Sequence, residues 1–90
     1  MPHVQFTRHL SRFFPELAPV SVEGKTVAHV VRELEQRFPG LESYIVDERG
    51  RLRQHVNIYV GDALVQDRES LSDPLAADAR LFVMQALSGG

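Results

Sequence analysis

The sequence predicts an α+β fold in which a mixed sheet of four to five strands packs on one main helix. Two segments with alternating apolar residues come first, one amphipathic helix follows, and further alternating segments complete the chain. Glycine and proline residues separate these segments. Ninety residues are enough for one domain with a modest core. A core of this size leaves no room for a deep internal pocket, which argues against a self-sufficient enzyme.

The first two strands are expected to form a hairpin. His3–Leu10 alternates, with Val4 and Phe6 on one side of the strand. A loop that contains two prolines follows at 13–19, and residues 20–24 alternate again until a glycine ends the pattern. The loop is longer than in the tightest hairpins.

The helix is the element that the sequence defines best. Thr26 is suited to cap its N-terminus, and Pro39-Gly40 is expected to end it. Charged residues occupy one side, so the opposite side is expected to pack on the sheet. The apolar positions follow the helical period and are Val27, Val30, Val31, Leu34 and Phe38.

Three further strands are predicted after the helix. Val56–Val60 alternates cleanly, Leu64–Val65 is expected to be a brief edge strand, and Leu81–Gln85 is the last strand. Because the last strand is apolar at alternate positions, it is expected to lie inside the sheet. Residues 41–53 are less regular, and 71–75 are expected to form a tight turn or a short 3₁₀ segment.

The sequence closes on a tail of four residues, Leu87, Ser88, Gly89 and Gly90. The two glycines have no side chains, so they can lie extended in a slot too narrow for any other residue. A carboxylate on such a tail can be carried into the active site of another protein. We therefore expect residues 1–86 to form the domain and residues 87–90 to form a flexible tail.

Strand alternation also predicts a partner-binding surface near this tail. If the alternate apolar residues of the last strand face the helix, Phe82 and Met84 face away from it, and so does Tyr59 on its own strand. Exposed apolar patches of this composition often mark protein partners. The alternative is that a loop of the same chain, residues 41–52, covers the three side chains.

The element order and the glycine pair together resemble the β-grasp, ubiquitin-like sulfur carriers of the MoaD/ThiS group. The specific parts are the strand Val56–Val60, the stretch Ser72-Asp73-Pro74-Leu75, the last strand and Gly89-Gly90. Two departures obscure the subfamily. The turn after Pro74-Leu75 lacks the glycine that members often have, and Leu87-Ser88 stands where many members have Val-Ala.

The resemblance implies a carrier that has no catalytic residues and binds no cofactor or metal of its own. A partner similar to the ubiquitin-activating enzymes, an adenylyltransferase, would use ATP to adenylate the Gly90 carboxylate. Sulfur would then replace AMP to give a thiocarboxylate, which a sulfur-accepting biosynthetic enzyme would use. Leu87, Ser88 and Gly89 would thread Gly90 into the partner's active site.

Two other functions fit the same tail. The chain could be a ubiquitin-like modifier that is joined through Gly90 to lysines of other proteins. It could also be a β-grasp interaction module whose tail is incidental. A carrier and a modifier need the same glycine pair, so the residues leave these alternatives open.

Composition excludes several other classes. A net charge of −2 gives nucleic-acid binding no electrostatic support, and no apolar run is long enough to span a membrane. The chain has no cysteine, which excludes a catalytic thiol and fits a reducing compartment, so we expect a cytoplasmic location. The histidines show no metal-ligand spacing. Three arginines at spacing two, at 49, 51 and 53, are interpreted as part of a solvated turn.

Overall fold

A computed structural model describes residues 1–85. Its five strands form one mixed sheet in the order β2-β1-β5-β3-β4, which confirms the predicted α+β class. No helix within these residues is long and apolar enough to cross a membrane. The elements are β1 (His3–Phe6), α1 (Arg8–Ser11), β2 (Val20–Ser21), α2 (Val27–Arg37), α3 (Leu41–Ile45), β3 (Val56–Val60), β4 (Ala63–Leu64) and β5 (Arg80–Gln85).

Strand β5 is the central strand of the sheet. It pairs in parallel with β1, where Val4 lies opposite Leu81, and antiparallel with β3, where Ile58 lies opposite Val83. All four of these side chains are buried in the core. Since β1 and β5 run in the same direction, the end of β1 and the end of β5 lie at the same end of the sheet.

Helix α2 packs on the core side of the sheet as the periodicity predicts. The five apolar residues of its predicted face are all buried, and the Thr26 hydroxyl accepts a hydrogen bond from the His29 N–H at 3.2 Å. The N–H groups of Val27 and Ala28, which have no partner inside the helix, donate to the carbonyls of Asp73 and Leu71. The segment around 71–75 is therefore an irregular cap for α2, and the predicted tight turn or 3₁₀ segment was wrong.

The predicted first strand was too long. It ends at Phe6, and Arg8–Ser11 forms the single-turn helix α1. Leu10 and Phe14 are both buried, and their spacing of four residues places them on one side of a helical turn. On the β2 side, only His3 and Val4 of the first strand have paired neighbours. An extended strand beyond Phe6 would have no partner there, so burial of Leu10 and Phe14 favours the helical turn.

A second short helix, α3, lies in the segment that was predicted to be irregular. Leu41 and Ile45 are fully buried at its two ends, again four residues apart. The Glu35 carboxylate accepts hydrogen bonds from the N–H groups of Gly40 and Glu42, both at 2.9 Å, and so fixes the start of α3. Gly40 has φ of 95°, a left-handed conformation that favours glycine.

Leu34 is expected to be a central core contact, because its side chain is fully buried on the sheet-facing side of α2. Leu34→Ala should lower the free energy of unfolding by about 2–5 kcal/mol, through lost apolar contact and the cavity that remains. Urea denaturation of the two proteins measures this difference. Arg32→Ala, at an exposed position of the same helix, is the matched control and should change stability by less than about 0.5 kcal/mol. A loss below about 1 kcal/mol for Leu34→Ala would contradict this packing.

Candidate functional site

The candidate site is the surface around the point where β5 ends. Gln85 is the last residue of β5, and it lies opposite Val56 at the start of β3. The predicted tail residues Leu87, Ser88, Gly89 and Gly90 lie outside the described residues. What the structure shows is therefore the body that carries the tail.

The three predicted partner-binding side chains lie together on the sheet face that points away from α2. Tyr59 lies directly opposite Phe82, and Met84 lies opposite Asn57. Ile58, Leu81 and Val83, which alternate with them along the strands, are buried in the core. Tyr59, Phe82 and Met84 are half-buried. We call Tyr59, Phe82 and Met84 the outer patch.

Leu64 extends the outer patch at the edge of the sheet. It lies opposite Tyr59 in the β3–β4 pairing, and 49% of its surface is exposed. The sequence predicted a brief edge strand at this place but did not align it with Tyr59. That alignment depends on the register across the Gly61 turn, where φ is 63°.

The segment 41–52 packs into the core and leaves the outer patch uncovered within residues 1–85. Leu41 and Ile45 are fully buried in the same cluster as Leu34 on α2, and Val46 and Leu52 belong to it as well. This segment therefore lies on the helix side of the sheet. The alternative in which it covers the patch does not describe this protein.

A shallow groove of about 550 Å³ adjoins the outer patch at the end of the sheet where β5 begins. Phe82 forms one wall, and the polar side of the groove includes His3 and Ser21, whose side chains are hydrogen-bonded at 2.6 Å between Nδ1 and Oγ. Arg80 is exposed beside them. The outer face thus combines an apolar centre with a polar margin, which is the usual arrangement of a protein-binding surface.

Arg68 fixes the other margin of the outer patch. Its guanidinium donates hydrogen bonds to Asn57 Oδ1 at 2.9 Å and to the carbonyls of Arg53 and Val56 at 2.8 and 3.0 Å. These acceptors are neutral, so the charge of this half-buried group has no carboxylate partner within residues 1–85. Arg68 holds Asn57 in place beside Met84. Sequence reasoning missed it, since nothing local to a loop residue indicates this contact.

Two aspartates shape the loop that presents Arg68. The Asp67 carboxylate accepts hydrogen bonds from the N–H and hydroxyl groups of Ser72 and from the N–H of Ser70. The Asp73 carboxylate in turn accepts from the N–H of Asp67 at 2.9 Å. The hydrogen bond from the Ser72 hydroxyl, followed by those from the backbone, lowers the pKa of Asp67 because each stabilises the ionised carboxylate.

The sequence is similar to a known protein family and to individual proteins. The model of the ThiS family matches residues 4–90. Sulfur carrier protein CysO of Mycobacterium tuberculosis (strain ATCC 25618 / H37Rv) is 32% identical over 73 residues, which span 79% of this chain and 78% of that protein. The region that matches the family model includes Gly89 and Gly90.

Solved structures share the fold. The crystal structure of Mycobacterium tuberculosis CysO superposes with a TM-score of 0.84 and 26% identity, over 97% of this chain and all of that one. A chain of the crystal structure of the Amycolatopsis orientalis BexX/CysO complex superposes with a TM-score of 0.86 and 24% identity, over the whole of both chains. These similarities confirm the predicted ubiquitin-like β-grasp fold.

The Asp67 loop should make stability depend on pH. Because folding lowers the pKa of Asp67 below its ordinary value of 3.8, its contribution is present at neutral pH and is lost as pH falls through the lowered pKa. Asp67→Asn places an amide where the Ser72 N–H needs an acceptor. We expect it to lower the free energy of unfolding at pH 7 and to flatten the decline in stability between about pH 5 and about pH 2.

Urea denaturation at a series of pH values tests this expectation. Asp78→Asn, an exposed aspartate in the turn before β5, is the matched control and should leave the pH profile unchanged. The pKa of Glu35 is also lowered, chiefly by the hydrogen bond from the Gly40 N–H. Part of the decline in stability at low pH should therefore remain in both variants. Superimposable profiles for Asp67→Asn and the wild type would show that the loop does not depend on the ionised carboxylate.

Proposed function

The chain belongs to the ThiS family, and on that basis we propose that it is a sulfur carrier whose Gly90 carboxylate is converted to a thiocarboxylate. The observation that carries the proposal is the 32% identity to a curated sulfur carrier protein, in a chain that matches the family through the glycine pair. A carrier of this kind is the substrate of other enzymes. In this scheme ATP is bound by the activating partner, and the chain needs no cofactor of its own.

The chemistry follows from the weakness of a carboxylate as an electrophile. An oxygen of Gly90 attacks the α-phosphorus of ATP in the active site of an adenylyltransferase related to the ubiquitin-activating enzymes, and pyrophosphate leaves. Hydrosulfide, HS⁻, then adds to the activated carbonyl carbon and the bond to AMP breaks, so that AMP leaves and loss of the sulfur proton gives the thiocarboxylate. Because glycine has no side chain, the carbonyl is unhindered and the tail fits a closed site that excludes water. We place these steps in the cytoplasm.

The body of the protein supplies a fixed base for the tail and a docking surface close to it. Strand β5 pairs with β1 as far as Val83 and with β3 as far as Gln85, so the sheet holds the last residues of β5 in place. Five residues can span at most about 17 Å beyond Gln85. A partner that receives Gly90 must therefore also lie against the surface around the end of β5.

The outer patch is the part of this surface that we propose binds the partners. Tyr59, Phe82 and Met84 are aromatic or flexible apolar side chains, which are enriched in the centres of interfaces. The activating enzyme and the sulfur-accepting biosynthetic enzyme would use the patch in turn. The BexX/CysO complex supports the proposal of a protein partner, since it is an assembly between a protein of this fold and another protein.

The proposal predicts a change in mass at the tail. Incubation with ATP, a sulfur donor and an adenylyltransferase of the ubiquitin-activating type should raise the intact mass by the difference between sulfur and oxygen. Gly90→Ala should slow this conversion strongly and leave thermal stability unchanged, because it places a methyl group beside the reacting carbonyl. Gln36→Ala, at an exposed position of α2 away from the tail, is the control. Mass spectrometry of the whole protein follows all three.

Other outcomes would identify the alternatives. No mass gain with an adenylyltransferase that is active on its own carrier would refute the sulfur-carrier proposal. Recovery of Gly90 in isopeptide linkage to lysines of other proteins would identify a modifier. Full function in cells after deletion of Gly89 and Gly90 would identify an interaction module.

The outer patch should control affinity for the activating enzyme. Phe82→Ala and Met84→Ala are each expected to raise the KM for the carrier about tenfold, since interface anchors of this type contribute about 1–2 kcal/mol each. The kcat at saturating carrier should stay the same, because neither side chain reaches the reacting carbonyl. Gln36→Ala, at an exposed position of α2 on the other side of the molecule, is the control. Equal KM values for all four proteins would contradict the assignment of the patch.

A further inference from the structure

The end of the molecule from which the tail leaves is surrounded by elements that the outer patch does not include. On one side of β5, Thr7 donates its N–H to the Val83 carbonyl at 3.1 Å and accepts from the Gln85 N–H at 3.3 Å through its hydroxyl. Helix α1 begins at the next residue. On the other side, Val56 faces Gln85, with the turn at Arg53 just before it. The backbones of β1 and β3 are about 10 Å apart across β5.

Two cations occupy the α1 side of this end. Arg8 and Arg12 are both exposed, and four residues separate them, so they lie on the same side of one helical turn. The only ion pair within residues 1–85 is Arg51–Asp47, so neither arginine has a carboxylate within 4.0 Å there. Glu16, in the same loop, is exposed and also outside that distance. Like charges in this arrangement destabilise a free helix, and an acidic partner would relieve the repulsion.

An exposed aromatic pair joins the α1 side to the β3 side. Phe13 is 54% exposed and stacks on Tyr44 with ring centroids 5.2 Å apart. The buried Phe14 holds Tyr44 from the other side in an edge-to-face contact. The carbonyl of Ser43, the residue before Tyr44, accepts a hydrogen bond from Arg53 Nε at 2.8 Å.

The stacking of Phe13 on Tyr44 and the hydrogen bonds of Arg53 and Arg68 link these side chains into one group near the end of β5, which we call the exit collar. Its arginines lie on both sides of β5, and its aromatic pair lies between them on the helix side. Arg53 connects it to Arg68 through the hydrogen bond from Arg68 to the Arg53 carbonyl. The members of the exit collar are Arg8, Arg12, Phe13, Tyr44, Arg53 and Arg68.

We propose that the exit collar is a second docking surface, and that its occupant is an acidic rim around the cleft of the adenylyltransferase that receives the tail. This inference rests on the proposed function, because the short tail brings any enzyme that binds Gly90 against the collar. Guanidinium groups without carboxylate partners are complementary to an acidic surface. Arginine beside an exposed aromatic ring is also the composition that dominates binding energy in protein interfaces.

The chemistry of the collar favours a protein over a nucleic acid. The whole chain carries a net charge of −2, so a polyanion is repelled by the molecule as a whole at long range. A local acidic rim meets only the collar, since charges more than about 8 Å away are screened at physiological salt. The collar therefore acts on association with the enzyme and leaves the reaction at Gly90 unchanged.

The test compares variants in steady-state adenylation with the carrier concentration varied. Arg8→Gln/Arg12→Gln and, separately, Phe13→Ser should each raise the KM for the carrier about tenfold at low salt and leave kcat unchanged. The effect of the arginine variant should shrink as salt is raised. Arg32→Gln is the matched control, because Arg32 is exposed on α2 and belongs to neither the outer patch nor the exit collar. Circular dichroism checks that each variant is folded.

A direct binding measurement keeps this inference separate from the proposed function. Titration with a tetraglutamate peptide, which is short enough to contact the collar alone, should shift the amide NMR signals of the collar but not those near Arg32, and salt should reverse the shifts. If the enzyme never adenylates the wild type, the proposed function fails. The titration still shows whether the collar binds acidic groups. Unchanged KM values, shifts centred on Arg32, or tighter binding of a DNA duplex than of the peptide would each overturn the inference.

Discussion

The parallel pairing of β1 with β5 is the constraint on which the rest of the structure depends. It places the first and last strands side by side and makes β5 the centre of the sheet, with β3 on its other edge. Val4, Leu81 and Val83 are buried against α2 as a result. The same pairing brings α1 to the end of the molecule where β5 stops. A tail that continues from β5 therefore starts from the best-supported strand of the fold.

The loop between Gln66 and Asp73 connects the stability of the helix to the shape of the site. Its carbonyls at Leu71 and Asp73 satisfy the first N–H groups of α2, while its Arg68 holds Asn57 on the outer face. Leu71 has φ of 52° although it is not glycine, and its side chain is fully buried. The hydrogen bonds to the Asp67 carboxylate support this unusual backbone. One loop thus serves the helix and the outer patch together.

Local periodicity predicted the elements that are long enough to show it. The buried face of α2, the alternation of β3 and the outward direction of Phe82 and Met84 all follow from it. The single-turn helices α1 and α3 were missed because one pair of apolar residues at spacing four is too little to define a period. The contact of Arg68 with Asn57 and the exit collar are non-local, since the fold brings their residues together from separate segments. A net charge of −2 likewise conceals the local positive charge of the collar.

The central claim is that Gly90 carries the sulfur. The most direct measurement is fragmentation mass spectrometry of the C-terminal peptide, taken from the protein isolated from its own cells under alkylating conditions. Our account predicts an alkylated thiocarboxylate on Gly90 that disappears when ATP-dependent activation is blocked. A Gly90 that is always a free carboxylate, or one found only in amide linkage to lysine, would contradict it.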